Sequence, residues 1–479
     1  MTAAISLRWK RDCGTLCRSL APLAGNQHRF DLLRPAPDRG PTVTQTFTEK
    51  ALARVVRIEP GEGRALAWAF AYFFFLLCSY YILRPLRDEM GVAAGLANLQ
   101  WLFTATFFVM LAAMPAFGAV VARLPRRRFI PWVYRFFALT LLGFWALLAL
   151  DVGRVAVART LFVWVSVFNL FVVTVFWGFM SERFGYERGR RLFGFIAAGG
   201  TAGALIGPSL TAALAVPLGP ANLLLVSIAL LEIATRCSGG LDRADLPAAA
   251  DATRAAPTGA PDQAIGGGAW AGLTEVLRSR YLMLICAHVA LLSLTSTFLY
   301  FQQAAIVAGA FDGPAERTRV FALIDLAVGL TTLSVQLLIT GRVMLRFGAG
   351  VALALLALVT ATGFAAIAVA PILGVVIAFQ ATKRAAEFSL ANPARETLFT
   401  VVTREQMYKA KSFIDTAVFR GADAASGWVY TGLRQLAALE ASAVAWLAVP
   451  VALGWAAMVL KLGAMQREMA NSRSLRSAP

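Results

Sequence analysis

The sequence predicts an all-α integral membrane protein of about twelve transmembrane helices, arranged as two pseudo-repeats of six. Three observations carry that expectation. Of the 479 residues, 58% are hydrophobic and 15% are charged, whereas about a quarter of a soluble globule is charged. Apolar runs recur along the chain that match the roughly 20 residues a helix needs to cross a bilayer. Those runs fall into two equal blocks with a polar stretch between them.

Residues 1–63 are polar and basic and lack the uninterrupted apolar core of a signal peptide, so they read as a cytoplasmic tail. Apolar runs at about 65–84, 97–122, 130–150, 156–181, 193–216 and 220–235 form a first bundle over 64–236. The stretch "CSGGLDRADLPAAADATRAAPTGAPDQAIGGGAW" is rich in Ala, Gly, Pro and Asp without helical periodicity, and reads as a cytoplasmic linker over 237–279. Runs at about 281–308, 319–344, 350–370, 372–400, 412–438 and 441–464 form a second bundle over 280–466, followed by a short tail, 467–479.

The net charge of +18 does not call for nucleic acid as a partner. With the N-terminus cytoplasmic, the loops "RLPRRR", "ERFGYERGRR", "GRVMLRFG" and "TREQMYKAK" all fall on the cytoplasmic side. The opposite loops carry fewer Lys and Arg, as the positive-inside rule requires. Both termini are then cytoplasmic. Five cysteines are scattered without metal-ligand spacing, and no GxxxxGK[ST] phosphate loop is present. No metal, cofactor or enzymatic constellation is expected.

The loop after the second run, "GAVVARLPRRR", aligns with that after the eighth, "GRVMLRFGAG", placing Gly118 on Gly341 and Arg123 on Arg346. Both resemble the signature loop of the major facilitator superfamily, G-x-x-x-D-R-x-G-R-[KR], with Ala122 and Leu345 in place of the acid and Pro125 in place of a glycine. The resemblance implies two six-helix bundles around a central cavity. These four loop residues are then the places where conformational change is expected.

Two charged stretches stand out. In "SYYILRPLRDEM" an apolar run passes directly into Arg84, Arg87, Asp88 and Glu89. A charge in a span costs a few kcal/mol unless paired or facing water, and Arg84 and Asp88 have the i,i+4 spacing of a helical pair. Pro85 favours a bend there. The tenth run carries Lys383, Arg384 and Glu387, and the next carries Asp415, Arg420 and Asp423. No lipid-facing helix tolerates that density, so these side chains are expected on an interior or water-filled path.

Here the chain resembles the ATP/ADP translocase family, the nucleotide exchangers of plastids and intracellular bacteria. "YYILRPLRD" is similar to that family's first-helix pattern, "FWGF" and "RRLFGFIAAGG" to its fourth and fifth helices. "KRAAEFSLANPARETLF" with "YKAKSFID" is similar to its tenth-helix region. The chain departs from the pattern where Val165 and Ser296 stand in place of acids and Asp423 in place of a lysine. The resemblance implies a substrate site built from Arg84, Arg87, Asp88, Lys383, Arg384, Glu387, Arg420 and Asp423, the Arg87 fork gripping phosphate or carboxylate.

Other polar residues within spans are candidates for coupling or gating: Arg135, Asn169, Asp325 and Asp415. Asp325 is the best placed of them for a proton-sensitive carboxylate. His288, alone among apolar residues, reads as a buried bonding partner. Gly199, Gly203 and Gly207 are four apart, a spacing that lets another helix approach closely.

Three functions remain open. The first is a secondary active transporter of an anionic, nucleotide-like small molecule, working in the lipid bilayer of a bacterial inner membrane. The second is a proton-coupled facilitator for a drug or small organic compound. The third is a transport-inactive membrane sensor or assembly protein.

Overall fold

The computed structural model describes residue 59 and residues 61–123, 126–244 and 271–476. The tail expected over 1–63 and the linker expected over 237–279 lie largely outside the described residues. The first helix, α1 (Gly63–Ala93), has 31 residues; at 1.5 Å per residue it is about 46 Å long and outruns the ~30 Å hydrocarbon layer. The charges from Arg84 to Glu89 therefore sit within the helix, although the apolar run alone stops at about residue 84. Pro85 is carried inside it without ending it.

α2 (Leu99–Arg123), α3 (Arg126–Ala149), α4 (Arg154–Gly185), α5 (Arg191–Leu218) and α6 (Pro220–Arg243) complete the first bundle. The chain reverses between α4 and α5 at Gly185, whose φ of 65° suits a residue without Cβ. The second bundle opens with α7 (Arg280–Ala310) and α8 (Pro314–Val335). A π turn, Gln336–Thr340, leads from α8 into the stretch Gly341–Val369, which reverses at Gly348 (φ 76°). Residues 349–369 after that reversal form α9. α10 (Leu373–Ala386), α11 (Phe419–Thr431) and α12 (Ala441–Arg476) finish the bundle.

Among the described residues nine helices are long and apolar enough to cross a membrane. One of them, Pro314–Val369, covers two passes. The passes carrying α10 and α11 fall short of that composition because they hold the charges, and π turns Glu387–Ala391, Ile414–Val418 and Gly432–Leu436 interrupt them. Such wide turns recur at functional sites. The expected twelve passes are present. Successive passes alternate, so α1 starts and α12 ends on one face, the terminal face; the other is the distal face.

Close packing is built from small residues, because lipid offers no hydrophobic drive between helices. Gly203 of α5 lies so close to α1 that an added Cβ would meet the carbonyl oxygen of Phe74 and come within 2.9 Å of the Cys78 nitrogen. Gly199 and Gly207 make the same approach one turn to either side, against Phe70 and Tyr81. Ser79 and Ser227 lock α1 to α6, their hydroxyl oxygens 2.8 Å apart, and the hydroxyls of Tyr72 and Tyr134 join α1 to α3. At the terminal end, buried Glu62 receives Arg188 and Arg191 at 3.2 and 2.9 Å. His288 is buried and accepts a hydrogen bond from the indole of Trp455 at 3.0 Å.

The apolar core divides unevenly. Side chains of the first bundle share one core with the distal half of the second, through Phe298, Phe301, Phe364, Phe379 and Tyr430. The terminal half of the second bundle packs around a separate core that includes Tyr281, Leu353 and Trp455. The bundles thus meet through apolar side chains at the distal face.

Candidate functional site

Charged residues of both bundles converge on a cavity of about 240 Å³ between them. α1 supplies Arg84, Arg87 and Asp88, α10 and its π turn supply Lys383, Arg384 and Glu387, and α11 supplies Arg420 and Asp423. All eight residues expected at a substrate site line it. Lys383–Glu387 and Arg420–Asp423 pair along their helices, whereas Arg84 and Arg384 do not.

Arg84 does not bond Asp88. It reaches across to Asp325 of α8, with Nε 3.5 Å from Oδ2. Asp88 is already occupied: Arg87 donates to its Oδ1 through Nε and Nη2 at 3.0 and 2.7 Å, and the Tyr300 hydroxyl donates to the same oxygen at 3.3 Å. Arg384 likewise passes over Glu387, its neighbour along the helix, and donates to Asp325 Oδ1 at 2.6 Å. One carboxylate on α8 therefore holds an arginine from each bundle.

Lys383 is 1% exposed. Its Nζ donates to Ser296 Oγ at 2.6 Å and lies 3.8 Å from Glu387. Ser296, standing where the resembled family places an acid, thus becomes the polar partner of the lysine rather than its counter-charge. Arg420 lies 3.4 Å from Asp423, whose other oxygen accepts from Ser293 at 2.5 Å. Val165, the second place of a missing acid, is buried in the apolar core; Ser166, next to it, lines the cavity.

Aromatic rings stand among these charges. Phe103 and Phe107 of α2 and Phe162 of α4 line the first-bundle side, and Arg87 lies 5.3 Å from the centre of the Phe162 ring. Phe388 and Phe419 flank the second-bundle side beside Arg384 and Arg420. The cavity can therefore offer cations to an anion and, beside them, rings to a flat or apolar group.

The coupling and loop candidates are dispersed. Asp325 lies directly behind the cavity. Arg135 is exposed on α3, 3.9 Å from Glu232; Asn169 is half-buried on α4. Asp415 sits in a π turn, 3.5 Å from Arg395. Gly341 and Arg346 are exposed where α8 leads to α9, and Gly118 and Arg123 fall in a stretch whose side chains lie outside the described residues.

Sequence reasoning missed a pair at the distal face. Glu89, with no exposed surface, is gripped by Arg317 of α8, whose Nε and Nη2 donate at 2.8 and 2.9 Å. Arg317 also donates to the carbonyls of Phe311 and Asp312, both at 3.2 Å. On the other flank the Trp428 indole of α11 donates to Thr104 of α2 at 3.0 Å, with the Trp101 ring edge-on to it. Both links join the bundles. The partners are 228 and 324 residues apart, a separation that periodicity does not bridge.

Twelve passes in two bundles around a charged central cavity define a polytopic membrane protein with the major facilitator fold. No family model matches the chain, and no curated protein matches it in sequence. Solved structures do match it. The nucleoside transporter NupG superposes with a TM-score of 0.56 at 14% identity, covering 85% of this chain and 99% of that one. A POT family transporter in complex with 5-aminolevulinic acid gives 0.58 at 12% identity, covering 84% and 96%. A bacterial homolog of the human lysosomal transporter Spinster, inward-facing and unoccupied, gives 0.52 at 11%, covering 86% and 98%.

Proposed function

We propose that the protein is a secondary active transporter that carries a small organic anion by alternating access. The observation that carries this reading is the composition of the cavity. Five cationic side chains, Arg84, Arg87, Lys383, Arg384 and Arg420, line it against three carboxylates, Asp88, Glu387 and Asp423. Such charges are retained inside a membrane where a substrate or ion uses them. The fold, common to transporters of nucleosides and peptides, supports the same reading.

The cavity volume lies below the roughly 300–1,000 Å³ of pockets for drug-sized ligands, which favours a compact anion. A nucleotide, exchanged as in the ATP/ADP translocases, is the second reading; the presence of Phe103, Phe107 and Phe162 favours it, since a base stacks on such rings. The bonds at the distal face give a conformation closed on that side. Basic loops on the terminal face support a cytoplasmic position for both termini, in a bacterial inner membrane.

The test is uptake of labelled small anions, ATP and ADP among them, into proteoliposomes. At least one anion accumulates, and Lys383→Ala lowers its uptake at least tenfold at matched protein level. Uptake of every anion at the level of empty liposomes, beside clear uptake of a neutral or cationic compound, refutes the reading.

A further inference from the structure

Behind the anion cavity lies a second, half-open chamber of about 260 Å³, bounded by α1, α5, α8 and α10. Its walls are mainly apolar: Phe73, Leu77, Ala204, Leu205, Val328 and Leu333. From Asp325 it runs along α8 past Thr332 to Gln336, and along α1 back to Phe73, so it extends toward the terminal face. Arg384 and Phe388 border both spaces and form the partition between them. Arg84 faces only the anion cavity; Asp325 faces only the second chamber.

Asp325 is 4% exposed; its buried Oδ2 accepts no hydrogen bond, although Arg84 Nε stands 3.5 Å from it. The Oγ1 of Thr332, another chamber residue, is also buried without a partner. The groups facing Asp325 can be named from each element. α1 brings Arg84 and Tyr81, with Arg87 and Asp88 also within electrostatic reach, α10 brings Arg384, α5 brings Thr201 and no titratable side chain among the lining residues, and α8 itself adds Thr332 and Gln336. Two guanidinium groups against one carboxylate leave no room for a metal cation, and no cluster of three or more potential ligands gathers among the described residues. A proton is the positive charge that Oδ2 can take when Arg84 turns away from it.

We propose that Asp325 is the site of a coupling proton, which enters through the second chamber at low pH and is bound more tightly when a doubly charged anion takes over Arg84 and Arg384 from the central cavity. The inference rests on the anion reading above. The five cations lining the cavity face four carboxylates once Asp325 is counted with Asp88, Glu387 and Asp423, an excess of one positive charge. A monoanion cancels that excess. A dianion such as phosphate or a dicarboxylate adds one negative charge more, and an unbalanced charge in this setting is costly. One proton from water in the chamber bonds to Asp325 and removes the deficit; no other bond forms or breaks. When the anion leaves, the arginines return to Asp325 and the proton is released. The two bindings favour one another, and the linkage is reciprocal. Because Asp325 holds one arginine of each bundle, its neutralisation also loosens a tie between them.

The proton site is tested without any substrate. Protein reconstituted on a capacitive electrode, with chloride as the anion, is given a step from pH 8 to pH 5. Wild type displaces charge, Asp325→Asn does not, and Asp325→Glu restores part of it. Thr332→Leu, which fills the chamber and removes a hydroxyl that bonds nothing, slows the displacement. Should Asp325→Asn fail to fold, Thr332→Leu carries the test. A displacement that persists in Asp325→Asn, or that keeps its rate in Thr332→Leu, overturns the proposal. With labelled phosphate and succinate, an imposed pH gradient drives accumulation by wild type, and apparent affinity weakens about tenfold per pH unit of alkalinisation. Asp325→Asn exchanges the dianion without concentrating it, whereas uptake of labelled lactate ignores the gradient in both. Dianion uptake indifferent to the gradient in wild type refutes the coupling. If no anion is carried while the substrate-free displacement behaves as stated, the anion reading fails and the proton site stands.

Discussion

Replacing Glu89 with alanine should open the distal face. In the structure the Glu89 carboxylate is fully buried and takes two donors from Arg317 across the bundle interface. Charge-assisted bonds of this kind contribute about 1.5–3 kcal/mol each, and removing one partner of a buried pair costs about 3–5 kcal/mol. Arg317 keeps its two carbonyl acceptors after the change and its side chain is 15% exposed, so part of that cost is relieved. A loss of about 2–3 kcal/mol from the closed arrangement remains, which is about a 30- to 150-fold shift in the ratio of closed to open molecules. The assay places a single cysteine at Gln303, a cavity-lining position on α7, in a background without native cysteines. A membrane-impermeant thiol reagent is then applied from the distal side. Its reaction should accelerate at least tenfold in Glu89→Ala, and the double exchange Glu89→Arg with Arg317→Glu should return it toward the starting rate. An unchanged rate in Glu89→Ala would show that the pair does not hold the bundles together.

Gly203→Ala should destabilise the first bundle by about 1–3 kcal/mol, because the new methyl meets backbone atoms of α1 that have nowhere to move; thermal unfolding in detergent reads this, and an unchanged midpoint contradicts it. Reporters fused after Arg243 and after Arg476 should face the same side, and one inserted at Asp312 the other; agreement between Arg243 and Asp312 would contradict the alternation of passes.

Ten of the twelve passes were legible in the sequence for a simple reason, those carrying α10 and α11 being masked by their charges. A bilayer asks for about 20 apolar residues whatever the neighbouring helix is, so each span announces itself alone. The interior placement of Lys383, Arg384, Glu387, Arg420 and Asp423 was legible by exclusion, since lipid could not accommodate them. Pairing was not legible in that way. Spacing along one helix pointed Arg84 toward Asp88, yet the nearer acid in space is Asp325, 241 positions later in the chain. The same limit hid the Glu89–Arg317 link and the role of Ser296 beside Lys383, which no periodicity connects. The true length of α1 was obscured because its last turns are charged, and only the facing cavity makes that composition tolerable.

The shared distal core also bears on how the chain is assembled as it leaves the ribosome. Phe103 and Phe162 of the first bundle finish their packing against Tyr300 and Phe301, and Gly91 lies against the Tyr300 hydroxyl. All of these partners are synthesised some 140 to 210 positions later. Until α7 arrives, the nascent first bundle presents an aromatic seam and the polar group of Asp88 to lipid or to whatever escort the insertion machinery provides. Maturation of the first half must wait for the second, so the two bundles, though repeated in plan, are born as unequal halves of one folding event.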